Sequence, residues 1–264
     1  MALKFAANLT LLYPHVPFLE RFALAANDGF HAVECLFPYD YPADELKQIL
    51  DTNGLTLVLH NLPPGNWEAG ERGIACLPDR VEEFRAGVGQ GIRYAQRLGV
   101  SQLNCLAGLK PAGISEQEAM ETLRENLRYA AEQFAQAGLM LNLEAINSRV
   151  DMPGFLLDTG EKTIALIESL RLPNLRFQYD IYHMQIMGGD LCRRLQTWLP
   201  YIGHIQFADN PGRHQPGTGE INFFNIFQLL ERLGYAGWIS AEYHPQGDTS
   251  STLGWRSASV LAET

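Results

Sequence analysis

Short apolar runs alternate with longer amphipathic stretches along the whole chain, and this alternation constrains the fold more than any other feature. Eight of the runs have the length and composition of strands, and none of the connections between them carries a hairpin signal. Repeats of this kind predict βα units and a parallel sheet, and eight is the number that closes a barrel. The predicted strands read KFAAN, AVECL, LTLVLH, QLNCLAG, LMLNLEA, LRFQYD, IGHIQFAD and WISAEY.

The length of the chain fits one such barrel. It has 264 residues, 46 % of them hydrophobic, and no linker rich in Pro, Gly or Ser divides it. We therefore expect residues 1–264 to form a single (β/α)8 TIM barrel of the α/β class, with a short last helix from about Ser251. Ser115 and Glu118 resemble a helix capping box. The alternative is an open, doubly wound sheet, but no GxGxxG follows the first strand.

The charge balance limits the partners. Twenty Lys and Arg stand against 30 Asp and Glu, a net charge of −10, and no basic run interrupts the excess. Nucleic-acid binding needs clustered cations, so we expect no nucleic-acid partner, whereas one or two local Arg residues could still hold a small anionic substrate. There is no signal-peptide pattern and no apolar run near the ~18–20 residues that span a bilayer. Together with four cysteines that are expected to be reduced thiols, this predicts a cytoplasmic enzyme without a membrane partner; a homo-oligomer is compatible with the sequence.

Four consecutive predicted strands carry polar residues on one face, although buried parallel strands are normally apolar on both faces. Side chains alternate across a strand, so one face of each can pack on helices while the other points into the barrel. The last polar residue of each inner face lies at or near the carboxyl end, where barrel active sites are built. These residues, expected to converge on one cavity, are Glu144, Asp180, Gln206 and Glu242.

Three carboxylates cannot share a dry cavity as free anions, so some must be protonated or a cation must bind. Carboxylate oxygens and a Gln carbonyl form an all-oxygen ligand set that suits Mg²⁺ or Mn²⁺ better than Zn²⁺. A cation would stabilise an enediolate, with Glu144 and Glu242 as general base and acid on either side of the substrate. The alternative is that each residue merely caps a helix, which does not account for all four being in register. We expect no organic cofactor.

Seven segments also match a known pattern: LFPYDYPADELK, LHNLPPGNWEAGERGIACLPDR, ENLRYAA, DMPGF, QYDIYHMQ, ADNPGRHQPGTGEINF and GYAGWISAEYHP. They resemble the hydroxypyruvate isomerase family of the xylose isomerase-like barrels, from about Phe5 to Trp255. The resemblance implies interconversion of hydroxypyruvate and 2-hydroxy-3-oxopropanoate (tartronate semialdehyde). It implies that Glu144 and Glu242 are the proton donor and acceptor. It also implies metal ligands at the four converging residues named above.

The chain departs from the family pattern at two positions. Ala145 replaces a proline after strand five, and His244 replaces a lysine that is frequent after strand eight. If that lysine holds an acidic substrate, the preference could shift toward 2-oxo-tetronates, the substrates of close relatives. A ketose 3-epimerase is a further alternative on the same scaffold. A nuclease of the apurinic-site type would need more His ligands and a basic groove, and a non-catalytic binding protein would not need two glutamates beside a cation.

Four further residues are candidates for substrate binding. His183, three residues after Asp180, could reach a substrate oxygen, and Arg213 lies in a loop after strand seven where a guanidinium suits a carboxylate. His60 ends strand three, and Arg72 lies in a loop that could close as a lid with Trp67. Each could instead be a structural or solvated side chain.

Two other polar residues end the first strands. Glu34, at the end of strand two, is expected either to support the site or to form a simple salt bridge. Asn8, at the end of strand one, is expected to tether the backbone.

Overall fold

The computed structural model describes residues 2–260, and within them eight parallel strands close one barrel in sequence order. The predicted (β/α)8 barrel is therefore confirmed, while Met1 and residues 261–264 lie outside the described part. The eight strands are β1 (Lys4–Asn8), β2 (Ala32–Glu34), β3 (Thr56–Asn61), β4 (Gln102–Cys105), β5 (Met140–Glu144), β6 (Leu175–Asp180), β7 (Ile202–Phe207) and β8 (Trp238–Ala241).

Helices follow the strands around the outside of the barrel. The α-helices of the described range are α1 (Arg21–Asn27), α2 (Ala43–Thr52), α3 (Val81–Leu98), α4 (Glu116–Gln136), α5 (Gly160–Leu170), α6 (Ile181–Met187), α7 (Leu191–Trp198), α8 (Phe223–Arg232) and α9 (Trp255–Val260). The Ser115 hydroxyl accepts a hydrogen bond from the Glu118 N–H at 3.1 Å, so Ser115 caps α4 as predicted. Within residues 2–260 the last helix has six residues and is short as predicted, but it begins at Trp255 and not at about Ser251.

The two faces of each strand differ as the alternation argument requires. Outward side chains such as Leu141, Leu143 and Phe177 belong to the main apolar core between strands and helices. Inward side chains of the later strands are polar and buried. The interior of this barrel therefore contains a hydrogen-bonded polar layer beneath the carboxyl ends of the strands, together with a small apolar cluster of Ala6, Ala32 and Val58.

The pairing of β7 with β6 contains one irregularity. Phe177 pairs with Ile202 and Gln178 with His204, so Gly203 is passed over. A Cβ at Gly203 would lie 2.3 Å from Asn142 Oδ1 and 2.8 Å from Arg176 Cβ. A glycine at this position lets the strand bulge while His204 and Gln206 keep facing inward.

Two expectations from composition can be compared with the structure. No helix among residues 2–260 has the length and apolarity needed to cross a bilayer. The four cysteines are free, three of them buried and Cys192 exposed, which agrees with reduced thiols.

Candidate active site

A cavity of about 230 Å³ opens at the carboxyl end of the barrel and contains several of the predicted site residues. A larger surface depression of about 440 Å³ runs along α8 and contains none of them. The cavity near the strand ends is therefore the candidate site. Its lining residues are Thr10, Leu11, Leu36, Asn61, Trp67, Leu106, Glu144, Ile146, Met152, His183, Arg213, Glu242 and His244.

Glu144 ends β5 and is held by two neutral amide donors. Its Oε2 accepts hydrogen bonds from Asn104 Nδ2 at 2.7 Å and from Gln178 Nε2 at 3.2 Å. Its Oε1 lies 4.0 Å from His183 Nε2. Burial, and then the negative charge of Asp180, raise the pKa of Glu144 to about 8. A carboxyl with a pKa in this range can exchange protons near neutral pH.

Asp180 ends β6 and uses one carboxylate oxygen to begin α6. Its Oδ1 accepts hydrogen bonds from the backbone N–H groups of Tyr182 at 2.8 Å and His183 at 3.3 Å. Among residues 2–260 its Oδ2 has no hydrogen-bond partner; His183 Nε2 lies 3.6 Å away and the charged Arg213 Nη2 3.9 Å away. Burial raises the pKa of Asp180 to about 6. One oxygen is thus structural, and the other lies near His183 and Arg213, two residues that line the cavity.

Glu242 follows β8 directly and faces the same cavity. Its Oε1 accepts a hydrogen bond from Arg213 Nη2 at 2.6 Å. Its Oε2 accepts from Asn8 Nδ2 at 3.0 Å and, more closely, from Gln206 Nε2. Burial raises the pKa of Glu242 well above its ordinary value, although Arg213 acts in the opposite direction.

Glu34 is a further buried carboxylate, and it shares two hydrogen-bond donors with Glu242. Glu34 Oε1 accepts from Asn8 Nδ2 at 2.9 Å and from Gln206 Nε2 at 2.8 Å, and its Oε2 lies 2.6 Å from His204 Nε2. Burial opposes ionisation of Glu34, but the neighbouring His204 and the hydrogen bonds to it lower its pKa overall. Asn8 tethers the backbone as expected, since its Oδ1 accepts a hydrogen bond from the Thr10 N–H at 2.9 Å, and its amide nitrogen in addition bridges two carboxylates.

The positively charged guanidinium of Arg213 faces the acidic cluster. It lies in the loop between β7 and α8 with a left-handed backbone, φ 58°. Its guanidinium contacts Glu242 and lies 3.7 Å from Asp151 Oδ1. Burial alone would lower the pKa of Arg213, but the surrounding carboxylates raise it. The arginine therefore stays charged and offers N–H donors on the cavity wall.

His183, in the first turn of α6, is buried beside the cluster. Its Nδ1 lies 2.7 Å from Asn147 Nδ2. Burial and the nearby Arg213 charge hold the pKa of His183 well below its ordinary value, so the ring is neutral at neutral pH.

Two predicted substrate residues lie away from the cavity wall. His60 is buried, with Nδ1 3.2 Å from the Tyr39 hydroxyl, and burial lowers its pKa to about 4. Arg72 lies 4.3 Å from the ring centre of Trp67, donates to the Trp67 carbonyl, and lines a separate surface depression with Lys110. Trp67 itself does line the cavity and packs on Phe37.

Several residues of the site did not emerge from the sequence, among them the polar residues Asn104, Asn147 and Asp151. Asn104 could have been found, because it alternates with Gln102 on the inner face of β4 just as the singled-out residues do on later strands. Asn147 and Asp151 lie in the loop after β5, where no periodicity reports on side-chain direction. The roles of Asn147 and Asp151 follow only from their contacts in the folded protein, with His183 and Arg213.

The donor set fits a divalent cation. Glu144, Asp180 and His183 each offer a ligand atom within 4.8 Å of the others. Asp180 Oδ2 is buried and has no hydrogen-bond partner in the described part of the chain, and two buried carboxyls with raised pKa values, Glu144 and Asp180, call for a countercharge. Gln206 is placed differently: its Oε1 accepts from Gln178 Nε2 at 2.6 Å while its Nε2 faces Glu242. As a ligand it would have to turn its amide oxygen toward the cluster.

Comparison with known proteins gives consistent relatives over nearly the whole chain. A family model described as xylose isomerase-like TIM barrel matches residues 22–259. Hydroxypyruvate isomerase of Escherichia coli (strain K12) is 50 % identical over 253 residues, 96 % of this chain and 98 % of the relative. The 2-oxo-tetronate isomerase of Cupriavidus necator is 45 % identical over 252 residues, 96 % of each chain.

Solved structures share the architecture. A Brucella melitensis protein described as AP endonuclease, family 2, is 42 % identical, with a TM-score of 0.93 and coverage of 96 % of this chain and 98 % of that one. D-psicose 3-epimerase of Clostridium cellulolyticum H10, solved with D-tagatose, is 20 % identical with a TM-score of 0.76 and covers 99 % and 93 %. At that identity the second match shows a common fold alone.

Proposed function

The chain belongs to the xylose isomerase-like TIM barrel family and is an isomerase, and we propose that it interconverts hydroxypyruvate and 2-hydroxy-3-oxopropanoate. The observation that carries this proposal is the pair of buried glutamates, Glu144 and Glu242, on the wall of one cavity. The isomerisation moves a proton between neighbouring carbons, so it needs one base and one acid on the same substrate. The 50 % identity to a hydroxypyruvate isomerase supports the choice of substrate.

The proton transfer can be written with these two residues alone. One glutamate, as carboxylate, takes a proton from C3 of hydroxypyruvate, and the electron pair moves onto the C2 carbonyl oxygen. The other, as carboxylic acid, delivers a proton to C2. The C3 hydroxyl proton passes to the C2 oxygen and leaves an aldehyde at C3. Raised pKa values on both glutamates support this division, because one proton can be held at neutral pH while the other carboxyl is ionised.

Arg213 and His183 are the proposed substrate-binding groups. The Arg213 guanidinium is fixed against Glu242, and its remaining N–H groups suit the substrate carboxylate. The neutral His183 ring suits an oxygen of the reacting carbons. Apolar side chains that also line the cavity, Leu36, Leu106 and Ile146, reduce the access of water and strengthen these polar interactions.

We also propose Mg²⁺ or Mn²⁺ at this site. Glu144 and Asp180 would hold it, with Glu242 and Gln206 completing the ligand set suggested by the sequence. When bound, a divalent cation supplies positive charge for the oxygen that becomes negative as the proton leaves. Arg213 already neutralises part of the cluster, so the arginine and the cation would share that task.

One related substrate remains a second candidate. The cavity of about 230 Å³ has room for a fourth carbon, and the Cupriavidus necator relative is a 2-oxo-tetronate isomerase. A role on nucleic acid, which the description of the Brucella protein would suggest, is disfavoured by the net charge of −10.

The test is a substrate panel followed directly by proton NMR. Purified protein is incubated with hydroxypyruvate, a 2-oxo-tetronate, D-psicose, or a DNA duplex with an apurinic site, and Glu144→Gln serves as the control for contaminating activity. We expect kcat/KM for hydroxypyruvate to exceed that for the tetronate by about tenfold or more, the discrimination typical of one extra carbon. Turnover of ketohexose alone, or cleavage of the apurinic DNA, would overturn the proposal.

A further inference from the structure

The two ring nitrogens of His183 face different surroundings. Nε2 points toward the acidic cluster, 3.6 Å from Asp180 Oδ2 and 4.0 Å from Glu144 Oε1. Nδ1 lies 2.7 Å from Asn147 Nδ2. Because a neutral imidazole has one N–H and one lone pair, the identity of the group that faces Nδ1 decides which nitrogen carries the proton.

The orientation of the Asn147 amide is fixed by three contacts whose donor and acceptor roles do not depend on His183. Its Oδ1 accepts hydrogen bonds from the backbone N–H groups of Val150 and Asp151, each at 3.0 Å. Its Nδ2 donates to Asp151 Oδ2 at 2.6 Å, and its second N–H is directed at His183. A flipped amide would place its oxygen against the Asp151 carboxylate and its NH₂ group against two backbone donors. The chemistry of the partners therefore assigns Nδ2 to the His183 side independently of how the coordinates label the two atoms.

We propose that Asn147 is a positioning residue that fixes the tautomer of His183, so that Nδ1 accepts a hydrogen bond and Nε2 carries the proton into the cavity. The donor then points to the place where a substrate oxygen would gain negative charge, which rests on the proposed function. The assignment of the tautomer itself does not depend on the substrate.

The tautomer also sets a limit on the cation site. A protonated Nε2 has no lone pair to offer, so in this arrangement His183 presents an N–H donor to the cavity and is not a metal ligand. The oxygens of Glu144 and Asp180 remain as ligand atoms, which keeps the set suited to Mg²⁺ or Mn²⁺.

Asp151 links this arrangement to the other substrate-facing group. Its Oδ2 accepts hydrogen bonds from both Asn147 and the Tyr182 hydroxyl, the latter at 3.0 Å, and its Oδ1 lies 3.7 Å from Arg213 Nη1. One carboxylate in the loop after β5 thus braces both the histidine and the arginine. The loop is expected to set the spacing between the two donors.

The direct test is NMR of protein carrying ¹⁵N-labelled histidine, with the His183 signals assigned by their loss in His183→Gln. In the wild type we expect the Nδ1 shift of an unprotonated nitrogen and the Nε2 shift of a protonated one. Protonation of Nδ1 in the wild-type protein would overturn the proposal, whatever the substrate proves to be.

Asn147→Asp supplies the matched variant, because a carboxylate can only accept. It should draw the proton to Nδ1 and lower kcat for the substrate that the enzyme turns over by about 10²-fold or more, the loss typical of one missing donor to a developing oxyanion. Asn147→Asp combined with Asp151→Asn relieves the repulsion between the two adjacent carboxylates and should still show Nδ1 protonated.

The outcomes separate the two proposals. If His183 has the Nε2–H tautomer but the protein does not act on hydroxypyruvate, the proposed function is overturned and the inference about Asn147 stands. A double variant that keeps the wild-type tautomer, or full kcat in Asn147→Asp, would overturn the role of Asn147.

Discussion

Glu144 and Glu242 line the same cavity, but their hydrogen-bond donors differ in charge. Glu144 is held by the amides of Asn104 and Gln178, whereas Glu242 is paired with the charged Arg213. Neutral donors stabilise a carboxylate less than an arginine does, so the two residues differ in how readily they give up a proton. Such unequal environments are what an acid and a base on neighbouring carbons require.

The first prediction concerns these two residues. Glu144→Gln and Glu242→Gln should each lower kcat by about 10²–10⁴-fold, the range contributed by an essential acid or base, because an amide cannot exchange the proton. Both variants should retain the wild-type circular dichroism spectrum, since the amide keeps the shape of the side chain. The measurement is steady-state turnover, with Glu68→Gln in the exposed loop after β3 as control. A loss below about tenfold in either variant would argue against its role.

The second prediction concerns pH. The pKa of Glu144 is about 8 in the folded protein, against an ordinary value of 4.5, so between these values the folded state holds a proton that the unfolded state releases. The contribution of Glu144 to stability is therefore fully present below about pH 4.5 and is lost as the pH rises toward about 8. The Glu144→Gln variant has no titrating carboxyl at this position, so its free energy of unfolding does not fall in this way.

Urea denaturation in the presence of a chelator measures the effect. The free energy of unfolding of Glu144→Gln, relative to wild type, should increase as the pH rises from about 5 to about 8. A difference that stays constant across this range would contradict the raised pKa.

At the scale of elements, the loop between β7 and α8 positions Arg213. Asp209, fully buried, accepts hydrogen bonds from four backbone N–H groups at 2.8–3.1 Å. These belong to Asn210, Gly217, Gly219 and Ile221. One carboxylate thereby closes the loop on both sides of Arg213.

The third prediction follows from this closure. Asp209→Ala leaves four N–H groups without their acceptor, so the free energy of unfolding should fall by at least about 2 kcal/mol. KM should rise because Arg213 loses its fixed position. Urea denaturation and steady-state kinetics measure the two effects, with Asp51→Ala, an exposed position on α2, as control. An unchanged KM would show that the arginine is held by other contacts.

The same elements show what the sequence could predict. The alternation in LMLNLEA and LRFQYD was sufficient to place Glu144 and Asp180 at one rim, because a strand has only two faces and parallel strands end together. It could not give the orientation of the Gln206 amide, which depends on Gln178 and Glu242 from neighbouring strands. Arg72 shows the same limit in a loop, where a guanidinium can stack on Trp67 or turn to the cavity with no period to decide.

At the scale of the whole molecule, eight strand–helix repeats predict closure of the barrel, and closure brings residues from β5 to β8 together. The sequence did not predict which side chains of distant repeats contact one another. Glu34 from β2 and His204 from β7 form a buried pair beneath the site, 170 residues apart in the chain. Pairs of this kind are fixed by the geometry of the closed barrel.

The fourth prediction concerns the cation. If Glu144 and Asp180 hold Mg²⁺ or Mn²⁺, an excess of the ion should raise the melting temperature of chelator-treated protein. At an ion concentration of 100 times Kd, binding should add about 2.7 kcal/mol to the free energy of unfolding. Asp180→Asn should abolish the shift, whereas Asp51→Ala should keep it. The measurement is thermal denaturation with and without the ion, and an equal shift in Asp180→Asn would place the ion elsewhere.

The central claim is that two carboxyl groups move a proton between adjacent carbons, and turnover of hydroxypyruvate in D₂O tests it most directly. With one glutamate removing the proton and another, equilibrated with solvent, delivering its replacement, the product should carry about one deuterium at C2 by NMR. Product in which C2 carries only the hydrogen taken from C3 would show a direct hydride shift and contradict the account.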